Sequence, residues 1–432
     1  GGIALMSTTR LVYSAPNYQL NRSIFDVAFG RDGDGRPLRM GDIIRIAKNR
    51  SGSGTNKRNF VLLGDPALRL AYPTQGGVIT DSINSIPVSE VLDTLKALSQ
   101  MTVTGHVEDI NGNMMADFNG IVVPIVYDKP SVIETLANDG GQKMEFKLQN
   151  NILFSGKTTA KNGKFSFTFI VPRDIDYTYG AGKISYYASG QGREMNGDFS
   201  KIVVGGFSNI SDSDTTGPEI RLYFNDTLFR DGGITDPGPR LYAIIADENG
   251  INATGSGMGH DLVCWLDNDR DKKIILNNYF DHDTGSSSTG RLFYTFSDIP
   301  EGSHTLTLKA WDNYNNSSEE SLQFLVDTED DLILKNLLNF PNPFRDETRI
   351  SVEHNRPDEV LTITIRIYSI DGRLIRIIET TSEPQGYRLD PVLWDGKDSG
   401  GAKAGRGFYP YSVTITAGEG ETISISGKMI IY

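Results

Sequence analysis

The order of apolar and polar positions changes character along the chain. From residue 1 to 74 the spacing alternates between strand and helix. A short apolar run at Ile3–Leu5 is followed by the polar turn STTR. Leu20, Ile24, Val27 and Ala28 then recur at helical intervals and stop at Gly30. Met40, Ile43, Ile44 and Ala47 form one apolar face between Leu38 and Lys48, which predicts a second helix. SGSGTNKRN interrupts it, and Phe60–Leu63 reads as a buried strand ending at Gly64-Asp65-Pro66. Strand, helix, helix, strand is the rhythm of an α/β layer.

From Met101 onward the apolar positions alternate with polar ones, and turn signals recur roughly every 8–12 residues, which predicts β-sandwiches. NG pairs at Asn111-Gly112 and Asn162-Gly163 predict tight hairpins, because both residues tolerate positive φ. SNISDSDTTGPEI (Ser208–Ile220) reads as a linker, and Ser89–Gln100 reads either as a helix capped by Ser89 or as a loop with an edge strand. The expected fold is mainly β: an α/β remnant at 1–74, then β-sandwich modules at 75–210, 211–330 and 331–432. ISISGKMIIY, with its alternating apolar residues, predicts a paired strand at the chain's end. The opening GGIALMSTTR has no initiator methionine and begins inside an apolar strand, so a fragment that lacks a domain in front is expected.

Composition narrows the function classes. With 55 acidic against 42 basic residues the net charge is −13, which leaves no basic footprint for nucleic acid. No apolar run approaches the roughly 18 residues of a membrane-spanning segment. One cysteine excludes an intrachain disulfide and a CxxC metal or redox site.

Candidate chemistry is sparse. Cys264 lies in DLVCWLD, a strand-like run with acidic neighbours, where a buried structural thiol is the expectation rather than a thiolate nucleophile. The five histidines (106, 260, 282, 304 and 354) have no HExxH or HxH spacing. Asp267, Asp269 and Asp271 alternate as calcium ligands would, and Asp32 and Asp34 do so over a shorter span. Neither run continues into an EF-hand loop, so calcium ligation and plain acidic turns both stay open. No other cofactor or metal is indicated. GSGMGH (Gly255–His260) lacks the lysine and following helix of a phosphate loop and reads as a flexible loop. The aromatic groups Tyr177/Tyr179, Tyr186/Tyr187 and Phe408/Tyr409/Tyr411 read as core and cross-strand pairs before sugar-stacking platforms.

Two stretches carry a family likeness. GGIALMSTTRLVYSAPN (Gly1–Asn17) and FVLLGDPALRLAYP (Phe60–Pro73) resemble the end of a gingipain-type cysteine peptidase domain, a caspase-like fold. The last hundred residues resemble the C-terminal sorting domain of type IX secretion cargo and the FlgD Ig-like fold. NFPNPF (Asn339–Phe344), IYSIDGRLIR and WDGKDSGGAKAGRGFYPYSV carry that likeness, with Pro341 and Pro343 holding the entry extended, Asp371-Gly372 closing a hairpin and Trp394 as core anchor.

Together these ends, with DFNGIVVPIVYDK and HTLTLKAWDNYNNSS between them, resemble the type IX secretion sortases. The resemblance implies a parent cysteine peptidase that cleaves the sorting domain from secreted cargo and promotes attachment to lipopolysaccharide. It implies catalytic His and Cys residues upstream of Gly1, so that this stretch by itself is inactive. It also implies cargo proteins, the outer-membrane shuttle PorV and a lipopolysaccharide acceptor as partners, and a location at the Gram-negative cell surface. The rival expectations are a secreted gingipain-like protease whose sorting domain is removed, and a non-catalytic adhesin built of β-sandwiches.

Overall fold

A computed structural model describes the chain except residues 1–2, 53, 139, 209–213, 255–258, 328–331, 358, 385 and 419. Among the described residues four hydrophobic cores follow one another.

The first core is the smallest. Strand β1 (Leu5–Thr8) pairs antiparallel with β2 (Phe60–Leu63), and helices α1 (Ser14–Ala28) and α2 (Met40–Arg50) fill the connection. α1 buries Leu20 and Val27, α2 buries Met40, Ile43, Ile44 and Ala47, and Phe60 joins them. Asp42 in the first turn of α2 and Lys48 and Arg50 in its last turn complement the helix dipole. The LGDP segment explains two glycines. A Cβ on Gly41 would lie 2.9 Å from Cβ of Pro66, and Gly64 has φ of +142° with Cβ of Ala4 2.9 Å from where its own would stand.

Next comes a module whose ten strands form one continuous sheet around a single core. Its spine is the hairpin Gly180–Gly190 with Arg193–Phe207, turned by Gln191 and Gly192 at φ of 53° and 72°. Such paired positive φ values match the twist of the flanking strands. Phe154, Phe167 and Phe169 stack within the core. Asn162-Gly163 forms the expected tight turn, with both residues at positive φ. Asn111-Gly112 does not. There Oδ1 of Asp109 accepts the backbone N–H groups of Asn111 and Asn113, so a carboxylate closes a wider loop.

Ser89–Gln100 contains no helix. Leu95–Ala97 is instead a short strand running parallel to Arg193–Phe207, with Leu95 and Ala97 buried and Lys96 exposed. Pairing with the sheet satisfies its backbone and buries the two alternating apolar side chains, whereas Val91 of the supposed helical face is 94% exposed. The segment read as a linker also differs: Ser208 is buried against the sheet, and a strand begins at Glu219. Residues 209–213 of it lie outside the described residues.

The third module is a two-layer sandwich. Glu219–Phe224, Arg240–Ala246, Thr289–Thr295 and Phe280–His282 form one sheet. Gly233–Thr235, Ser317–Val326, Gly302–Trp311, Val263–Leu266 and Ile274–Ile275 form the other. The fourth packs a three-stranded sheet on a four-stranded one, which ends in the antiparallel pair Gly407–Ala417 and Glu421–Ile431. Trp394 is fully buried there, between the rings of Phe344 and Tyr409, and its Nε1 donates to the carbonyl of Lys397 at 3.0 Å. The entry bends over residues 341–343 rather than running extended, and Phe344 re-enters beside Ile431. Among the described residues no helix is long and apolar enough to cross a membrane.

Candidate functional site

Cys264 sits in Val263–Leu266 between two paired strands and is fully buried. Burial pushes its thiol up to about 12, so it stays protonated and is no nucleophile at neutral pH. The histidines are dispersed. His106 meets Asp81 at 2.8 Å, His260 meets Asp174 at 2.9 Å, and His304 bridges Asp267 and the carbonyl of Pro300, both at 2.7 Å. His282 and His354 are buried, and burial lowers both to about 4.

The alternating aspartates do not converge. Asp267 accepts the backbone N–H of Thr305 as well as contacting His304, Asp269 pairs with Lys272 at 3.1 Å, and Asp271 is exposed. Asp32 accepts the backbone N–H groups of Asp34 and Arg36 and pairs with Arg69 at 2.9 Å. Each of these paired carboxylates therefore has a protein partner of its own. The aromatic groups divide: Tyr186, Tyr409 and Tyr411 are buried, whereas Tyr177, Tyr179 and Phe408 are exposed. Of GSGMGH, Gly255–Met258 lie outside the described residues.

The carboxylates that the fold does bring together are Asp214, Asp247 and Asp312, with oxygens all within 4.8 Å of one another. They come from the stretch before the third module and from two of its loops. The ADENG turn is closed by the Asn249 N–H donating to Asp247 Oδ1 at 2.8 Å. Asp312, completely buried, organises the DNYNN loop by accepting the N–H groups of Tyr314 at 2.9 Å and Asn316 at 2.7 Å. The Asn249 amide donates to Asp214 at 2.8 Å, and that of Asn313 to the carbonyl of Asn249 at 2.9 Å, which ties the loops together.

Electrostatics set these groups apart. Burial, with the charges of Asp312 and Asp214 adding to it, raises Asp247 to about 7. Burial likewise raises Asp312 to about 6. Burial also works against the Asp214 carboxylate, yet hydrogen bonds from Thr216 and Asn249 hold it below its usual range. None of the three is ion-paired to a Lys or Arg among the described residues. Hard oxygen ligands at this spacing can hold a divalent cation, which would relieve the crowding. The signal in the sequence was only a scatter of Asx-rich turns, because the three aspartates are far apart along the chain.

The cluster lies where two modules meet. The Arg173 N–H donates to the Asn313 carbonyl at 2.9 Å, while Asp174 contacts His260 at 2.9 Å and Asn252 at 3.4 Å. Further on, a cleft of about 430 Å³ separates the last two modules and is spanned by Tyr387 OH donating to Asp236 at 2.8 Å. Its charged groups are already engaged: Glu353 accepts from Arg388 and from Asn336.

Comparison with known proteins follows the two ends. Residues 1–71 match the model of peptidase family C25, and residues 340–419 match that of the FlgD Ig-like domain. No curated protein matches the chain. Solved structures that resemble it include dimeric latent PorU from Porphyromonas gingivalis, 31% identical, covering 99% of this chain and 41% of that one, at a TM-score of 0.39. Others are a bacterial ice-binding adhesin (13% identical, covering 83% of this chain and 98% of that one, TM-score 0.18) and SGBP-B of the Bacteroides ovatus mixed-linkage glucan utilization locus (11% identical, covering 81% and 70%, TM-score 0.24). The chain thus spans less than half the length of the PorU chain it matches. It is PorU-like in sequence along nearly its whole length, with a segment of peptidase family C25 at one end and an FlgD Ig-like domain toward the other.

Proposed function

We infer that the chain is the supporting part of a gingipain-type cysteine peptidase that works as a type IX secretion sortase. The parent enzyme removes the C-terminal sorting domain from secreted cargo and promotes attachment of the product to cell-surface lipopolysaccharide. The observation that carries this reading is the C25 segment at residues 1–71 joined to an FlgD Ig-like domain, with 31% identity to PorU along the length between them.

In such a reaction a Cys thiolate attacks the peptide carbonyl, the amine leaves, and the resulting thioester is resolved by an acceptor amine or by water. The buried, protonated Cys264 is unsuited to that attack, so the nucleophile and its His come from peptidase residues outside this stretch. The surface of the first core supports the same reading. A two-stranded sheet is marginal alone, and here it carries exposed Leu5 and Leu63, while α1 exposes Tyr18 and Phe25. The rest of a C25 domain would cover them. The β-modules then carry the catalytic head at the cell surface and dock it to the shuttle PorV.

The test is a polypeptide in which a complete C25 domain precedes residue 72, incubated with a cargo protein that bears a sorting domain. Release of that domain, lost when the upstream Cys is replaced by Ala, is the expected outcome. If the polypeptide instead loses its own residues beyond about 330 on export, it is a cargo protease and the sortase reading fails.

A further inference from the structure

The four-stranded sheet of the FlgD Ig-like module ends on one side in Leu374–Ser382 and on the other in Glu421–Ile431. The two edges differ. Leu374–Ser382 carries Arg376 and Glu379, and its ladder shifts register at Ile367/Tyr368 of the neighbouring strand. Charges and bulges of this kind keep a further chain from adding to an edge. Glu421–Ile431 pairs with Gly407–Ala417 from end to end without a shift, and its residues 422–427, TISISG, hold no charge and no proline.

One end of this outer edge is already in use. The side chain of Asn342 imitates a neighbouring peptide unit: Nδ2 donates to the carbonyl of Lys428 at 3.3 Å, and Oδ1 accepts the N–H of Ile430 at 3.0 Å. The Phe344 N–H donates to the carbonyl of Ile430 at 3.0 Å, and the Phe344 carbonyl accepts from Tyr432 at 3.1 Å. Residues 428, 430 and 432 therefore turn their backbone groups outward. Backbone groups alternate sides along an unbroken antiparallel ladder, so Thr422, Ser424 and Ser426 do the same. All three residues are exposed, and no described residue bonds to their outward N–H and C=O groups.

The side chains narrow what can complete this edge. Ile423 and Ile425 are half-buried against the core of the module. On the opposite face the hydroxyls of Thr422 and Ser424 bond across to Thr416 at 2.9 Å and Thr414 at 2.7 Å. An added strand would cover the open flanks of the two isoleucines with apolar side chains of its own. An extended backbone is what presents donors and acceptors at the matching repeat. The free stretch is roughly 17 Å long at about 3.4 Å per residue, which suits a short peptide. A stable pair of folded chains buries about 1,200 Å² or more, beyond what so short an edge supplies.

We propose that the outer edge of Glu421–Ile431, at residues 422–426, is a docking site for an extended, uncharged segment of a partner polypeptide with apolar side chains at alternate positions. The segment adds to the sheet next to Glu421–Ile431, in line with the stretch from Asn342 to Phe344 that covers the rest of that edge.

The test titrates a fluorescein-labelled heptapeptide of alternating threonine and valine with the full 432-residue chain. Binding should raise the anisotropy of the label. The amide protons of Thr422, Ser424 and Ser426 should exchange fast in the free chain, unlike those of Ile423 and Ile425, and become protected in the complex. Ser424→Pro removes one outward N–H while sparing the ladder to Gly407–Ala417. It should weaken binding tenfold or more and leave the melting temperature of the module unchanged. The same peptide methylated on every backbone nitrogen should not bind. No binding at millimolar peptide, equal binding of the methylated peptide, or binding unaffected by Ser424→Pro overturns the proposal. So does protection of the three amides in the free chain, with a dimer in sedimentation velocity identifying a second copy as the occupant.

Discussion

The carboxylates of Asp247 and Asp312 approach within 4.8 Å of each other at the junction of two β-modules, and the fold raises both, to about 7 and about 6. A carboxyl whose folded pKa exceeds its unfolded one binds protons more tightly when folded, so its contribution to stability is present at low pH and lost as pH rises. The module from 219 to 326 should therefore lose stability progressively between about pH 4 and pH 7. Asp247→Asn removes one of the interacting charges and should raise the melting temperature of that transition at pH 8 while flattening its pH dependence. Calorimetry across that range measures both.

A divalent cation held by Asp214, Asp247 and Asp312 would act in the opposite direction. Millimolar calcium at pH 8 should raise the same transition by several degrees and leave the Asp312→Asn variant unmoved. At a hundredfold excess over Kd the stabilisation is about 2.7 kcal/mol. A wild-type transition that ignores calcium would assign the cluster to loop closure alone.

His354 works with the reverse sign. It is completely buried, and the Arg356 backbone N–H donates to its Nδ1 at 3.2 Å, which requires that nitrogen to be unprotonated. Its pKa is lowered from 6.5 to about 4, so the unfolded chain gains a proton that the folded one refuses. The last module should lose stability as pH falls from about 6.5 to about 4, by on the order of 3 kcal/mol in total. His354→Gln should remove most of that slope in acid-denaturation curves followed by Trp394 fluorescence.

Gly64 is required for its backbone angle and for space. Ala at this position places a side chain at φ of +142° and against Ala4, so Gly64→Ala should destabilise the first core by more than about 1 kcal/mol. Faster proteolysis within residues 1–74, with the three β-modules unchanged, is the expected readout.

Cys264 should resist alkylation by iodoacetamide in the native chain and react fully in denaturant, since it is 0% exposed and protonated. Rapid native labelling would contradict both its burial and its exclusion as a nucleophile. Cys264→Ala should leave the cleavage activity of the proposed parent enzyme intact.

Much of the architecture was legible because it rests on local periodicity. Met40, Ile43, Ile44 and Ala47 place one face of α2 in the core whatever packs on it, and alternating residues such as Ile363, Ile365 and Ile367 define a strand with one buried face. Turn chemistry was legible where two residues decide it, as at Asn162-Gly163. It was not at Asn111-Gly112, where the Asp109 carboxylate competes for the same N–H groups.

What the sequence by itself determined is therefore the succession of an α/β edge and three β-modules, the burial of Cys264 and the family likeness of the two ends. Those follow from short-range spacing and from the order of motifs. Only the tertiary structure decided that Leu95–Ala97 joins a sheet instead of a helix, because the strand it pairs with lies about a hundred residues away and residue pairing at that distance leaves no local period. The convergence of Asp214, Asp247 and Asp312 was decided there for the same reason. A site assembled from separate loops exists only once folding has brought its parts together, while in the run that looked most like a cation site Asp267 and Asp269 turn to separate partners and Asp271 is exposed.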